Sequence, residues 1–98
     1  MMPSYRIAKL AEWDLKAIVR HTLKTLGCAQ TRHYLRGLLD CFQTVADDPT
    51  LGCQCNAILP GLRRIEYNRH VFFYALSAGR VIIARVLPLQ MMPQRSLL

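Results

Sequence analysis

Between residues 70 and 87, two apolar runs flank a short polar segment. The runs cover residues 70–76 and 81–87, and Ser77-Ala78-Gly79-Arg80 separates them. Because successive side chains of a strand point to opposite faces, a strand that is apolar at nearly every position has two apolar faces. Such strands are typical of sheets that are buried on both sides. We therefore expect a hairpin with one face covered by helices and another face that needs a partner.

Two helical patterns precede this hairpin. The first has its core-facing positions at steps of three and four residues, at Ala11, Leu15, Ile18, Thr22 and Leu26, and Gly27 is expected at its C-cap. The second runs through Tyr34, Leu38, Cys41 or Phe42, and Val45. It should end at Asp47-Asp48-Pro49, because proline disfavours a helix in the residue before it. The short turn at Cys28 and Ala29 predicts that the two helices are antiparallel.

The remaining segments predict strands at residues 5–8 and 62–67, with a loop at residues 51–60 between the helices and the second of these strands. After Leu87, Pro88 and Pro93 exclude a regular central strand and favour an extended or loosely helical tail. The predicted fold is α+β, in a single domain over residues 1–98. It has an N-terminal strand, an antiparallel helical hairpin and then a three-stranded antiparallel sheet.

Charge is distributed unevenly along the chain. Thirteen lysines and arginines against six acidic residues give a net charge of +7, and 52% of the residues are hydrophobic, which argues against disorder. No acidic residue follows Glu66, whereas Arg69, Arg80, Arg85 and Arg95 do. The C-terminal part of the chain, which contains the predicted hairpin, is therefore basic and suits an acidic protein partner or nucleic acid. A solvated basic surface explains the charge equally well.

The N-terminal residues lack the apolar core of a signal peptide, and no apolar run reaches the length of a membrane span, so we expect a cytoplasmic protein. Cysteines are reduced in that compartment. Cys53-Gln54-Cys55 has no second pair at zinc-site spacing, and the histidines His21, His33 and His70 are scattered. We therefore predict neither a metal nor a cofactor. Cys41 has the spacing of a small core residue, and Cys28 has no predicted role.

Six segments carry a resemblance to a known family. They are Ala11-Glu12-x-Asp14-Leu15-x-x-Ile18, Tyr34-Leu35-x-x-Leu38, Ala46-Asp47-Asp48-Pro49-x-Leu51-Gly52, Pro60-Gly61-Leu62-Arg63, Arg69-His70-Val71-x-Phe73-Tyr74 and Ile83-x-Arg85-Val86-Leu87. In this order and spacing the chain, from about residue 5 to residue 98, resembles the ParE toxins of the RelE/ParE toxin–antitoxin superfamily. The resemblance implies a small toxin that a cognate acidic antitoxin, ParD-like or similar, holds inactive. ParE-like toxins trap the cleaved-DNA state of DNA gyrase, whereas their RelE-like relatives cut messenger RNA in the ribosome.

The residues favour binding over catalysis. Cutting RNA by attack of a 2′-hydroxyl needs a base, stabilisation of the phosphate charge and an acid. The chain has no lysine after Lys24, no histidine after His70 and no tyrosine after Tyr74, and arginine is a poor base. A histidine that opens a buried strand, as His70 does, more often makes a local hydrogen bond. We therefore predict no catalytic residues and no direct nucleic-acid binding. A ribosome-dependent nuclease and a degenerate, non-toxic antitoxin-binding module are the alternatives.

Candidate contact residues follow from the resemblance and from the apolar hairpin. For gyrase they are Met91, Met92, Arg95, Leu97 and Leu98, with Arg85 nearby and Trp13 as a second candidate. After Val-Leu the family usually has His, then Met-Asp; here Pro88 replaces the His, Met91 matches and Met92 replaces the Asp. A toxin that this tail weakens or redirects is an open alternative. For the antitoxin the candidates are Arg63, Arg69, Arg85, Phe72, Tyr74 and Ile82, on a sheet face that we expect to be open.

Overall fold

The computed structural model describes residues 4–89 and has an α+β architecture. Its elements are β1 (Tyr5–Ile7), α1 (Lys9–Asp47), a short 3-10 helix (Pro49–Leu51), β2 (Cys53–Gln54), β3 (Arg63–Tyr67), β4 (His70–Ser77) and β5 (Arg80–Pro88). The sheet order is β1-β5-β4-β3-β2. β1 pairs with β5 in parallel, and the other neighbours are antiparallel.

The helical segment α1 is a hairpin of two arms that meet at Gly27. Gly27 has φ 86° and ψ 178°, a left-handed and non-helical conformation that glycine adopts without strain. We call residues 9–26 the first arm and residues 28–47 the second arm. Leu15 and Val19 of the first arm and Leu39 of the second line one groove, so the arms lie side by side. The predicted helical hairpin is thus confirmed, although Gly27 alone makes the turn.

The main core lies between the two arms and one face of the sheet. Its buried members are Ala11, Ile18, Leu38, Phe42, Val45, Ala46, Phe72, Tyr74, Val81, Ile83 and Val86. The Phe42 ring meets the Phe72 ring edge to face, with centroids 4.7 Å apart. The predicted apolar stripes are confirmed except at Leu26, which is 63% exposed because it directly precedes the bend. Cys41 is half-buried and packs against this core, as predicted.

The other face of the sheet is not open where the sequence analysis expected it to be. Val71 and Phe73 are 0% and 7% exposed and form a second cluster with Leu62, against which Cys55, Leu87 and Leu89 pack. The packing residues come from two segments: Cys55 and Leu62, which are joined by the Cys55 N–H to Leu62 carbonyl bond of 2.8 Å, and Leu87 and Leu89 at and after the end of β5. The expectation of a bare apolar sheet face is therefore wrong at these positions.

Large apolar side chains are exposed elsewhere on the described residues. They lie on the helical hairpin, in the loop before β3 and at the far end of β4: Leu10, Trp13, Leu23, Leu26, Leu51, Ile58, Leu59 and Leu76. Half of them belong to the arms of α1. On the hairpin they form two separate pairs, Leu10 with Trp13 and Leu23 with Leu26, and the members of each pair are three residues apart and share one face of the helix.

Tyr74 anchors the segment that follows the helices. Its hydroxyl donates to the Pro49 carbonyl and accepts from the Gly52 N–H, both at 2.8 Å. A Cβ on Gly52 would lie 2.9 Å from the Arg64 carbonyl oxygen, which leaves no room for a side chain. The Asp48 carboxylate accepts from the Thr50 hydroxyl at 2.7 Å and caps the 3-10 helix. The close approach of Tyr74 and the Arg64 carbonyl explains why a glycine stands at position 52. Within residues 51–60, which the sequence predicts to be a loop, Cys53–Gln54 form strand β2.

Candidate functional site

Arg85 is bound to a carboxylate of the first arm. Its Nε and Nη2 donate to the two oxygens of Asp14 at 2.8 and 3.1 Å, and the Val86 N–H donates to the same carboxylate at 2.9 Å. This arrangement arises because β1 ends at Ile7 and leaves the edge of β5 beyond Ile83 without a strand partner. The Asp14 carboxylate raises the pKa of Arg85 further above its ordinary value. Most of the charge of this candidate contact residue is therefore balanced within the chain.

A β-bulge precedes this ion pair. Phe73 pairs with Arg85, whereas Tyr74 pairs with Ile83, so Ala84 is the extra residue on β5. Bulges bend a strand and change the direction of neighbouring side chains. Arg85 follows the bulge directly and meets Asp14 of the first arm.

The other two candidate arginines differ in their surroundings. Arg63 donates from Nη1 to the Gly52 carbonyl at 2.7 Å and to the Thr50 carbonyl at 3.4 Å, so it braces the turn after the helices. Arg69 lies in the turn between β3 and β4 and is exposed. Neither salt bridge recorded within residues 4–89 involves Arg69. Of the three candidates, Arg69 is the one whose charge faces solvent.

The apolar candidates fall on different sides of the sheet. Phe72 and Tyr74 are 0% and 1% exposed and lie in the main core under the helices. They are not part of the described surface, and we do not retain them as contact residues. Ile82 is half-buried and pairs with Ala75 of β4. Trp13 is 65% exposed on the first arm, next to Asp14. Met91, Met92, Arg95, Leu97 and Leu98 lie outside the described residues.

An apolar groove runs between the two arms on their outer side. It has a volume of about 360 Å³ and is lined by Leu15, Lys16, Val19, Arg20, Leu23, Leu35 and Leu39. Five of these seven side chains are aliphatic, and the two others are basic. We call this surface the inter-arm groove. Its chemistry fits an amphipathic segment with acidic flanks.

A larger cavity lies between the Gly27 bend and the turn that joins β3 to β4. It has a volume of about 610 Å³ and is lined by His21, Thr22, Thr25, Leu26, Gln30, Tyr34, Asn68, Arg69 and His70. We call it the bend pocket. Through His21, Thr22 and His70 it continues into a hollow of about 370 Å³ above the end of β5, where Asp14 and Arg85 form part of the wall.

His70 is hydrogen-bonded inside the bend pocket. Its Nδ1 and the Tyr34 hydroxyl form a short hydrogen bond, and the same hydroxyl lies 3.3 Å from the Tyr67 carbonyl oxygen. The local hydrogen bond predicted for His70 is thus confirmed. Burial and then the nearby His21 lower the pKa of His70, and burial raises the pKa of Tyr34 to about 12. Imidazole and phenol are therefore both neutral at pH 7.

Metal-binding and membrane-spanning features are not found within residues 4–89. No group of three or more His, Cys, Asp or Glu side chains in this part of the chain could hold a metal ion. Its four cysteines are free thiols. None of the described helical segments combines the length and the apolar character needed to cross a membrane.

Comparison with known proteins identifies the class. Residues 5–93 match the family of ParE toxins of the type II toxin–antitoxin system parDE. Toxin ParE1 of Mycobacterium tuberculosis (strain ATCC 25618 / H37Rv) is 31% identical over 98 residues, which cover 99% of this chain and all of the relative. Toxin ParE1 of Caulobacter vibrioides is 33% identical over 86 residues, which cover 88% of each chain. The protein is a toxin of a type II toxin–antitoxin system and belongs to the ParE family of the RelE/ParE superfamily.

A solved structure supports the fold. The chain resembles a protein from the chromosomal ParDE toxin–antitoxin system of P. aeruginosa with a TM-score of 0.75. The match covers 89% of this chain and 96% of that one, at 17% sequence identity. The predicted ParE-like α+β fold is therefore confirmed. The sheet has five strands rather than the four predicted, and the additional strand is β2.

Proposed function

We propose that the protein is a ParE-like toxin that inhibits DNA gyrase by binding to it, and that an acidic antitoxin of the ParD kind neutralises it. The observation that carries this proposal is the match to the ParE family over residues 5–93. Relatives named as ParE1 toxins align over nearly the full chain. Gyrase acts on chromosomal and plasmid DNA, so the proposal places the toxin in the cytoplasm.

The side chains favour binding rather than chemistry. The nuclease alternative relied on His70 and Arg85. The Nδ1 of His70 is engaged by Tyr34, and the guanidinium of Arg85 is engaged by Asp14. Because arginine stays protonated, Arg85 cannot act as a general base. Neither residue stands ready for proton transfer to an RNA substrate.

The first arm offers an exposed apolar pair for gyrase. Leu10 and Trp13 are 60% and 65% exposed. They lie three residues apart and so share one face of the helix. Large aromatic side chains are common among the residues that dominate binding energy at interfaces. We propose Trp13 as the gyrase contact on this arm, together with Met91, Met92, Arg95, Leu97 and Leu98 of the C-terminal segment.

The inter-arm groove is the proposed site for the antitoxin. Leu23, 44% exposed, lies within it, and Lys16 and Arg20 supply positive charge. An acidic amphipathic helix would bury its apolar side chains there and place carboxylates near the two cations. Arg63, Arg69 and Ile82 remain proposed contacts of the same partner on the sheet side.

A supercoiling assay tests the gyrase proposal. Purified toxin should inhibit gyrase and accumulate cleaved DNA, and Trp13→Ala should reduce inhibition by about tenfold or more, the scale of an interface residue that dominates binding. Leu76→Ala is the matched control, because Leu76 is exposed to a similar degree on the far end of β4. Gyrase that remains fully active at high toxin concentration would refute the proposal.

Expression without the antitoxin separates the alternatives. The gyrase proposal expects filamentous cells, a DNA-damage response and altered plasmid topology. The nuclease alternative expects shortened transcripts that disappear with His70→Ala. If the protein is instead a degenerate, non-toxic antitoxin-binding module, cells that express it alone should grow normally.

A binding assay tests the groove. Leu23→Glu should weaken the complex with the antitoxin by at least about tenfold, since it places a charge in an apolar contact. Leu59→Glu, at an exposed position of the loop before β3, is the control. Equal affinities of the two variants would place the antitoxin elsewhere.

A further inference from the structure

The bend pocket gathers basic groups from three parts of the chain. His21 comes from the first arm, Arg69 from the turn after β3, and His70 from the start of β4. None of the side chains that line the pocket is acidic. The nearest acidic side chain of the adjoining hollow, Asp14, already accepts hydrogen bonds from Arg85 and from the Val86 N–H. The described chain therefore supplies no anion to this pocket.

The remaining groups around the pocket favour a side chain of a protein over a nucleic acid. Thr22 and Thr25 donate to the carbonyls of Ile18 and His21, at 2.7 and 3.0 Å, so their hydroxyl protons are committed. Their methyl groups and Leu26 add apolar lining. A nucleic acid needs several cations along its phosphates. Here one permanently charged guanidinium stands beside an apolar wall, which suits a single carboxylate on an apolar segment.

We propose that the bend pocket receives one carboxylate side chain of the antitoxin, bound by Arg69 with His21 and His70 beside it, and that acidification tightens the complex. The inference rests on the proposed function, since it assumes that an antitoxin binds this toxin. It adds a defined subsite and a dependence on pH that the inter-arm groove alone does not provide.

The hydrogen-bond network allows His70 to gain a proton without leaving a polar group unpaired. When the neutral imidazole carries its proton on Nε2, Nδ1 accepts from the Tyr34 hydroxyl. In the imidazolium, Nδ1–H donates to the Tyr34 oxygen instead, and the Tyr34 hydroxyl can turn to the Tyr67 carbonyl, 3.3 Å away. The added charge then faces the incoming carboxylate.

None of the described groups that face His70 favours its protonated form in the free toxin. Burial lowers the pKa of His70, and the nearby His21 on the first arm lowers it further. Tyr34 on the second arm stays neutral at pH 7 because burial raises its pKa to about 12. Arg69 adds a positive charge, and the Asp14–Arg85 pair on the β5 side is balanced. A carboxylate bound beside His70 favours the protonated imidazole, so the complex takes up a proton and is more stable at lower pH.

The affinity of the full-length toxin for the acidic protein encoded by the neighbouring gene tests the proposal. Arg69→Gln should weaken binding by about tenfold or more, as expected for a charge-assisted contact at an interface. Arg80→Gln removes an exposed arginine at the distal hairpin turn and should leave the affinity unchanged. Between about pH 8 and about pH 6 the wild-type affinity should rise by roughly threefold to tenfold, and His21→Gln with His70→Gln should remove that rise.

A double-mutant cycle identifies the carboxylate. Each Asp or Glu of the partner is changed in turn to its amide, and one of them should lose its effect in the Arg69→Gln background. If Arg69→Gln binds as tightly as Arg80→Gln, or if no carboxylate couples to Arg69, the subsite is refuted while the antitoxin assignment stands. If Arg69→Gln instead abolishes binding of a short single-stranded RNA and spares the protein partner, the pocket belongs to a nucleic acid. If the wild-type toxin forms no complex, the proposed function fails and the subsite with it.

Discussion

Replacing Asp14 with alanine should destabilise the protein more than its surface position suggests. The carboxylate side chain is 15% exposed, and it accepts from both Arg85 and the backbone of Val86, a residue that is 1% exposed. Leaving the Val86 N–H without an acceptor costs about 1–3 kcal/mol. Because the Arg85 side chain is 42% exposed, the lost ion pair adds no more than about 1 kcal/mol. Together these effects lower the free energy of unfolding by about 1–4 kcal/mol.

Asp14→Asn distinguishes the two contributions. The amide oxygen still accepts from the Val86 N–H but carries no charge, so the expected loss is only about 1 kcal/mol. Urea unfolding followed by circular dichroism measures both changes. In thermal unfolding of a chain of this size, 1 kcal/mol corresponds to roughly 4–8 °C in Tm. Asp40→Asn, at an exposed position of the second arm, is the control and should unfold like the wild type.

The reasoning fails if Asp14→Ala and Asp14→Asn unfold at the same denaturant concentration. The edge N–H of β5 would then have another acceptor, and the Asp14 carboxylate would act only through Arg85.

Three further predictions concern packing, pH and the thiols. Gly52→Ala should lower the free energy of unfolding by about 1–3 kcal/mol, because its Cβ would meet the Arg64 carbonyl and the Tyr74 ring. Gly61→Ala, whose Cβ meets open space at φ 84°, should lower it by about 1 kcal/mol. A reversed order of the two variants in urea unfolding would contradict this account. The free energy of unfolding should fall as the pH drops below about 6.5, because burial and His21 lower the pKa of His70 in the folded state, so that the unfolded chain binds the extra proton. His70→Gln should flatten that part of the curve of stability against pH. An unchanged slope would exclude His70 as its source. Near neutral pH, a disulfide reagent should modify Cys28 and Cys53 before Cys41, because burial and Asp40 raise the pKa of the Cys41 thiol. Equal rates of modification of the three thiols in the native protein would count against the packing of Cys41.

The turns and helix ends could be read from the sequence because their chemistry is local. Gly27 ends the first arm with a φ of 86°, a backbone conformation that glycine adopts more readily than other residues, and Pro49 follows the end of α1 at Asp47. The hairpin turn at Ala78 and Gly79 has positive φ at both positions, which suits the twist of the flanking strands. Each of these features depends on a few neighbouring residues.

The covered face of the hairpin could not be read in this way. Both faces of β4 are apolar, so alternation does not indicate which side the helices occupy. Phe72 and Tyr74 pack under the helices, whereas Val71 and Phe73 belong to the second cluster on the opposite face. The Asp14–Arg85 pair was equally hidden, because it joins distant parts of the chain across a bulge. Strand β2 has two residues, too few for a recognisable pattern.

The parallel pairing of β1 with β5 has a consequence for synthesis of the toxin. Tyr5 pairs with Val81, so β1 has no partner in the sheet until β5 has been synthesised. Contacts between residues so far apart along the chain form slowly, since a long loop has to close first. The sheet of the nascent toxin therefore stays incomplete, with the β5 edge unpaired, until β1 joins a strand made long after it.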